Sequence, residues 1–107
     1  MAFKSKATAN IGTSGSPSTI TPTISSGTAT VIGLSIANTT GANITISAKL
    51  VKADASNAFL VKDATVLPGG AIVIVGGDQK VVLEAGDSIT AYASASNSAD
   101  AAISYLN

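Results

Sequence analysis

The stretch Val66-Leu-Pro-Gly-Gly-Ala-Ile-Val-Ile-Val-Gly-Gly-Asp-Gln-Lys-Val-Val-Leu-Glu-Ala-Gly-Asp-Ser-Ile89 decides the fold class. Its apolar runs are Ala71–Val75 and Val81–Leu83, too short for helices, and turn residues separate them. Leu67-Pro68-Gly69-Gly70 predicts a type II turn, because proline presets φ at its second position and glycine accepts the positive φ of the third. Gly76-Gly77-Asp78 and Glu84-Ala85-Gly86-Asp87 predict two further turns. The block therefore reads as successive β-strands: Ala71–Val75 fully apolar, then Gln79–Leu83, then Ser88–Ser96.

The same pattern extends outward. In Thr28–Asn38, alternation puts Ile32, Leu34 and Ile36 on one face and Val31, Gly33, Ser35 and Ala37 on the other. In Ala42–Ala53, Ile44, Ile46, Ala48 and Leu50 oppose Asn43, Thr45, Ser47 and Lys49. Such apolar-in, polar-out alternation suits a half-buried antiparallel strand. Asn38-Thr39-Thr40-Gly41 between them predicts a hairpin turn, with Gly41 able to take positive φ. Ala58–Val61 predicts a short strand, Asn97-Ser98-Ala99-Asp100 a last turn and Ala101–Leu106 the last strand. In Ser88–Ser96, Ile89, Ala91, Ala93 and Ala95 share a face opposite Thr90, Tyr92 and Ser94. Residues 1–27 are rich in Ser, Thr, Gly and Pro, and Pro17 and Pro22 rule out a central strand there. They read as an N-terminal edge or arm segment, with an edge strand near Lys6–Ile11 and an irregular edge segment near Thr19–Ile24. Two states remain open for it: ordering by a neighbouring subunit, or an ordinary flexible terminus. Residues 28–107 form the core, and the whole is one domain. About seven to nine short strands at such spacing predict a single antiparallel β-sandwich, of jelly-roll or immunoglobulin-like topology.

Composition bounds the chemistry. The 107 residues suffice to bury one core without staples. Histidine, cysteine, tryptophan and arginine are all missing. Ser-His-Asp and Cys-His catalysis and imidazole or thiolate metal sites are thereby excluded. Nothing marks a Ser–Lys dyad, and the lysines fall in polar alternation that reads as solvated. Six Lys against five Asp and one Glu leave no net charge to neutralise phosphates or an anionic membrane surface. No nucleic-acid or membrane partner is expected. The longest apolar run has five residues, and no apolar region follows Lys4 and Lys6, so neither a spanning helix nor a secretory signal is expected.

Asp78, Glu84 and Asp87 are the acids closest to a hard-cation set. Each falls in a turn, where aspartate usually bonds its own backbone, and the alternating Asp-x-Asp pattern of a calcium loop is missing. The Gly-Gly pairs precede no helix and make no phosphate cradle. Asn38-Thr39-Thr40 and Asn43-Ile44-Thr45 match the glycosylation sequon at about the frequency chance gives in so Ser/Thr-rich a chain. Tyr92 and Tyr105 read as core aromatics with a wet hydroxyl, or as interface residues. No residue is assigned a catalytic, cofactor-binding or metal-binding role, and no cofactor is expected.

Charged residues make up only 11% of the chain, against about a quarter in an ordinary domain. Serine and threonine, about a quarter of the chain, take their place. Such a surface repels neighbours weakly and favours permanent self-association.

Several stretches carry a family likeness: Ala9–Thr13, Ile32–Thr40, Leu67–Gly70, Val75–Ile89 and Ser104–Leu106, with Gly-Gly-Asp-Gln-Lys and Leu-Glu-Ala-Gly-Asp-Ser-Ile the most specific. They resemble small β-sandwich virion structural proteins of tailed bacteriophages. The resemblance implies a non-enzymatic component of the virion, made in the host cytoplasm. Its partners would be further copies of itself and other virion proteins, either the major capsid protein or neck and tail proteins. A head decoration (cement) protein that staples the capsid through apolar and hydroxyl-rich edges is the first expectation. A neck, tail or fibre-attachment protein is the second. A carbohydrate- or surface-binding module is more remote, because sugar platforms use aromatic faces and this chain has two Phe and two Tyr.

Overall fold

Alternating burial and β-branched residues produce nine strands, and no helix forms among the described residues. The computed structural model describes residues 2–76 and 78–107. The strands are β1 (Phe3–Thr8), β2 (Ser18–Thr19), β3 (Thr28–Asn38), β4 (Ile44–Val51), β5 (Ala58–Val66), β6 (Ala71–Val75), β7 (Val81–Glu84), β8 (Ser88–Ala93) and β9 (Ala99–Leu106). One sheet has the order β1-β9-β3-β6, with β7 also on β3; the other has the order β2-β8-β4-β5. Every pairing is antiparallel.

β6 and β7 lie on the same side of β3 and run the same way. Ala71–Val75 pairs with Ala37 back to Leu34, and Val81–Glu84 continues from Val31 back to Thr28. The expected reversal at Gly76-Gly77-Asp78 therefore does not occur: the chain steps out of the ladder and rejoins it. Gly77 itself lies outside the described residues. Taken as one interrupted strand, β6 and β7 reduce the fold to two four-stranded sheets. Successive strands then alternate between sheets except at the β4–β5 hairpin. This is the strand order of a jelly roll, and it decides between the two topologies that strand spacing leaves open.

The core lies between the sheets, with Leu34 and Ile36 (β3), Ile46 (β4), Val75 (β6), Leu83 (β7), Ile89 (β8) and Ile103 (β9) at its centre. Ile11, Ile20 and Ile24 are also buried, so residues 9–24 close one side of the sandwich. Their backbone is bonded in: Ile11 N–H donates to Ala99 O at 3.0 Å, Ile20 N–H to Ile89 O at 2.9 Å, and Ile24 O accepts from Gly86 N–H at 3.0 Å. Gly12 is fixed by sterics, since a Cβ there would sit 2.0 Å from the Ser16 carbonyl oxygen. The radius of gyration, 13.1 Å, matches the ~13 Å of a compact body this long.

Three local expectations are corrected. In β3 a bulge between Val31 and Gly33 makes the faces exchange, so Val31 is fully buried and Ile32 only half-buried. β5 runs on to Val66 instead of stopping at Val61, because bulges against β4 let it track that strand. β8 ends at Ala93, since Ser94 Oγ turns aside to accept from Thr45 N–H at 3.0 Å; Ala95 is exposed, and the turn falls at Ser94–Asn97. Gly41 does not take positive φ. The Pro-Gly turn is as predicted, with Gly69 at φ 71° and Gly70 N–H donating to Leu67 O at 2.9 Å.

Candidate functional site

The polar groups drawn inside mostly hold turns. Asn38, at the end of β3, is buried. Its Nδ2 donates to Ala42 O at 2.7 Å and Val66 O at 3.0 Å, while Oδ1 accepts from Thr40 N–H at 2.9 Å and Thr40 Oγ1–H at 2.7 Å. The side chain closes the β3–β4 turn, which is why Gly41 needs no left-handed backbone. The same burial closes the sequon at Asn38, whereas Asn43 is exposed. Ser47 sits under β5, with Oγ accepting from Asp63 N–H at 2.9 Å. Among the described residues every buried side-chain N or O has a partner.

Of the three candidate acids, Glu84 and Asp87 come together and Asp78 stays exposed. Lys52, just past β4, forms ion pairs with Glu84 (2.9 Å) and with the buried Asp87. Asp87 also accepts from the N–H groups of Glu84 (2.9 Å) and Ala53 (3.0 Å). The hydrogen bond from Lys52, followed by those two backbone donors, holds the Asp87 carboxyl down at about 2. The hydrogen bonds to Asp87 and then Glu84 hold the Lys52 ammonium above its usual value. An ammonium thus occupies the position between the carboxylates, and the described residues contain no cluster of three metal-ligating side chains. Nothing near Lys52 in sequence announces this pairing; its partners come 32 and 35 residues later.

The surfaces differ more than the interior suggests. Register turns outward, on the β1-β9-β3-β6/β7 sheet, one row of Phe3, Leu106, Thr30 and Val82 and another of Ala7, Ala102, Ser35 and Val73. Ser5, Ser104 and Gly33 lie between the rows. Among the paired outward positions of this face, charge falls at its ends, at Asp100 and Glu84, and the exposed Asp78 and Lys80 stand in the link between β6 and β7. Three of the five large exposed apolar residues stand here: Phe3 (77% exposed), Val73 (69%) and Val82 (53%). A shallow groove of about 310 Å³ follows the β3 bulge, lined by Gly33, Ser35, Val73, Gly76, Ala102 and Ser104. The apolar side chains therefore occupy a face, whereas the edges are broken up: β1 carries Lys4 and Lys6, β5 is bulged, and the β6/β7 edge is interrupted.

The outer face of the β2-β8-β4-β5 sheet is polar, with Tyr92 and Phe59 among Lys49, Lys62 and hydroxyls. Tyr92 is half-buried there, and Tyr105 is buried in the core. Comparison with protein-family models, curated proteins and solved structures returns no match for this chain.

Proposed function

We propose that this chain is a structural protein of a bacteriophage virion, and specifically a head decoration protein that stabilises the capsid by self-association and capsid contacts. The observation that carries this reading is the outer face of the β1-β9-β3-β6/β7 sheet, with its exposed apolar side chains. A four-stranded face with strands ~4.8 Å apart and eight residues long offers on the order of 500 Å². A stable interface needs about 800 Å² per partner, so this face would supply the larger part of one and its flanking loops the remainder. Its paired strand positions carry no charge to desolvate between the ends, and a monomer gains nothing by exposing their apolar side chains. The resemblance of Val75–Ile89 to phage virion proteins supports the same reading, and so does the jelly roll, a fold used in viral capsids.

The test is mass spectrometry of purified particles. Hundreds of copies per particle support a decoration protein, while about six to twelve copies, as in a closed ring, transfer the reading to the neck or tail axis. Particles without the protein, or a chain that stays monomeric at high concentration and ignores capsids, would defeat it.

A further inference from the structure

The outer face of the β2-β8-β4-β5 sheet holds two adjoining hollows. The larger, about 520 Å³, is lined by Pro17, Lys49, Asn57, Phe59, Thr90 and Tyr92. The smaller, about 350 Å³, is lined by Thr45, Lys62, Asp63, Tyr92 and Ser94. Tyr92 and Ser14 border both, so the two are halves of one trough with Tyr92 as the ridge between them.

The backbone is bent to build it. β5 slips register against β4 between Ile46 and Lys49, and Asp63 takes φ 52°, a conformation that strains a non-glycine residue. The result is that the consecutive residues Lys62 and Asp63 are both exposed, where strict alternation would turn one inward. Re-aiming side chains in this way is what bulges beside binding sites do.

Charge and aromatic surface converge in the trough. Lys49 Nζ lies 5.4 Å and Lys62 Nζ 5.3 Å from the centroid of the Phe59 ring. Lys62 pairs with Asp63 at 3.2 Å, but among the described residues no carboxylate pairs with Lys49. Two ammonium groups against one carboxylate leave the trough net positive. The chain has only four aromatic residues, two Phe and two Tyr, and two of the four line this one trough.

We propose that this trough binds an acidic saccharide, with a sugar face on Tyr92, a carboxylate at the Lys49 ammonium held over Phe59, and sugar hydroxyls at Thr45, Thr90 and Ser94. A flat ring with a few placed polar groups suits a sugar's apolar face and hydroxyls. The Lys49 ammonium suits its carboxylate through a charge-assisted hydrogen bond. A peptide added as a strand would need a regular free edge, and the edge strand here, β5, is broken by register shifts and by the positive φ of Asp63. A phosphate-rich polymer would need a longer basic track than two lysines.

The test uses the full chain on an array of uronate- and sialate-bearing glycans beside neutral ones, followed by calorimetry with oligogalacturonate and its methyl ester. The acid form should bind, and the ester, which keeps the skeleton and loses the charge, should bind at least about tenfold more weakly. Lys49→Ala and Phe59→Ala should each weaken the acid by at least about fivefold. Both side chains lie at the surface, and circular dichroism checks that the variants fold. Val73→Lys, on the opposite sheet, should leave saccharide binding unchanged, so this inference stands or falls separately from the virion reading. No acidic glycan bound, equal binding of the ester, equal binding of polyglutamate, or full affinity in Lys49→Ala would each overturn it.

Discussion

Asn38 shows how much one buried amide settles. Its sequence context, a strand end followed by Thr-Thr-Gly, predicts a turn, but the glycine expected to shape that turn is not the residue that does so. Asn38→Ala leaves the carbonyls of Ala42 and Val66 without their donor, and should cost about 2–3 kcal/mol in urea unfolding at unchanged m-value. Asp87 makes a pH-dependent contribution. Its folded carboxyl titrates at about 2 against an ordinary 3.8, so its contribution is complete above about pH 4 and is lost as pH falls through 2. Lys52 is displaced upward, so its contribution is complete below its ordinary 10.5 and fades only in strong alkali. Asp87→Asn should therefore lower Tm at pH 7, and the gap from the parent should close as pH approaches 2. A gap that stays constant across that range would remove the ion pair from the account.

At the scale of elements, β3 separates what alternation predicts from what pairing decides. Leu34 and Ile36 point inward as expected, but one extra residue opposite β9 exchanges the faces before them. Val31→Lys should unfold the domain or cost more than about 3 kcal/mol, because an ammonium would replace a fully buried methyl pair; Ile32→Lys should cost less than about 1. Chemical denaturation of the two variants separates the bulged register from strict alternation, which predicts the reverse order. The N-terminal segment makes a related point. Its composition reads as an arm, yet three isoleucines spaced through it reach the core. Ile11→Ala should destabilise the whole domain by about 2–5 kcal/mol in a single cooperative transition. Fraying of residues 2–27 alone would show that the segment docks without belonging to the core.

For the whole molecule, the two outer faces differ: one carries apolar and small side chains with charge at its ends, the other is polar and net positive. Val73→Lys and Val82→Lys change only exposed positions, so each should leave Tm within a few degrees of the parent. Together they should abolish self-association in analytical ultracentrifugation, if the sheet that carries them is the interface. All-β class, the turns at Pro68-Gly69 and Ala85-Gly86 and most core positions were legible in the chain, because period-2 burial and turn chemistry are local properties. So was the low share of charged residues. The jelly-roll order, the β3 bulge, the Lys52–Asp87–Glu84 corner and the gathering of Phe59, Tyr92, Lys49 and Lys62 were decided only by tertiary structure. Each depends on which strands become neighbours, and residues 28 to 79 positions apart, such as Asn38 and Val66 or Thr28 and Asn107, meet through pairings that no local pattern encodes.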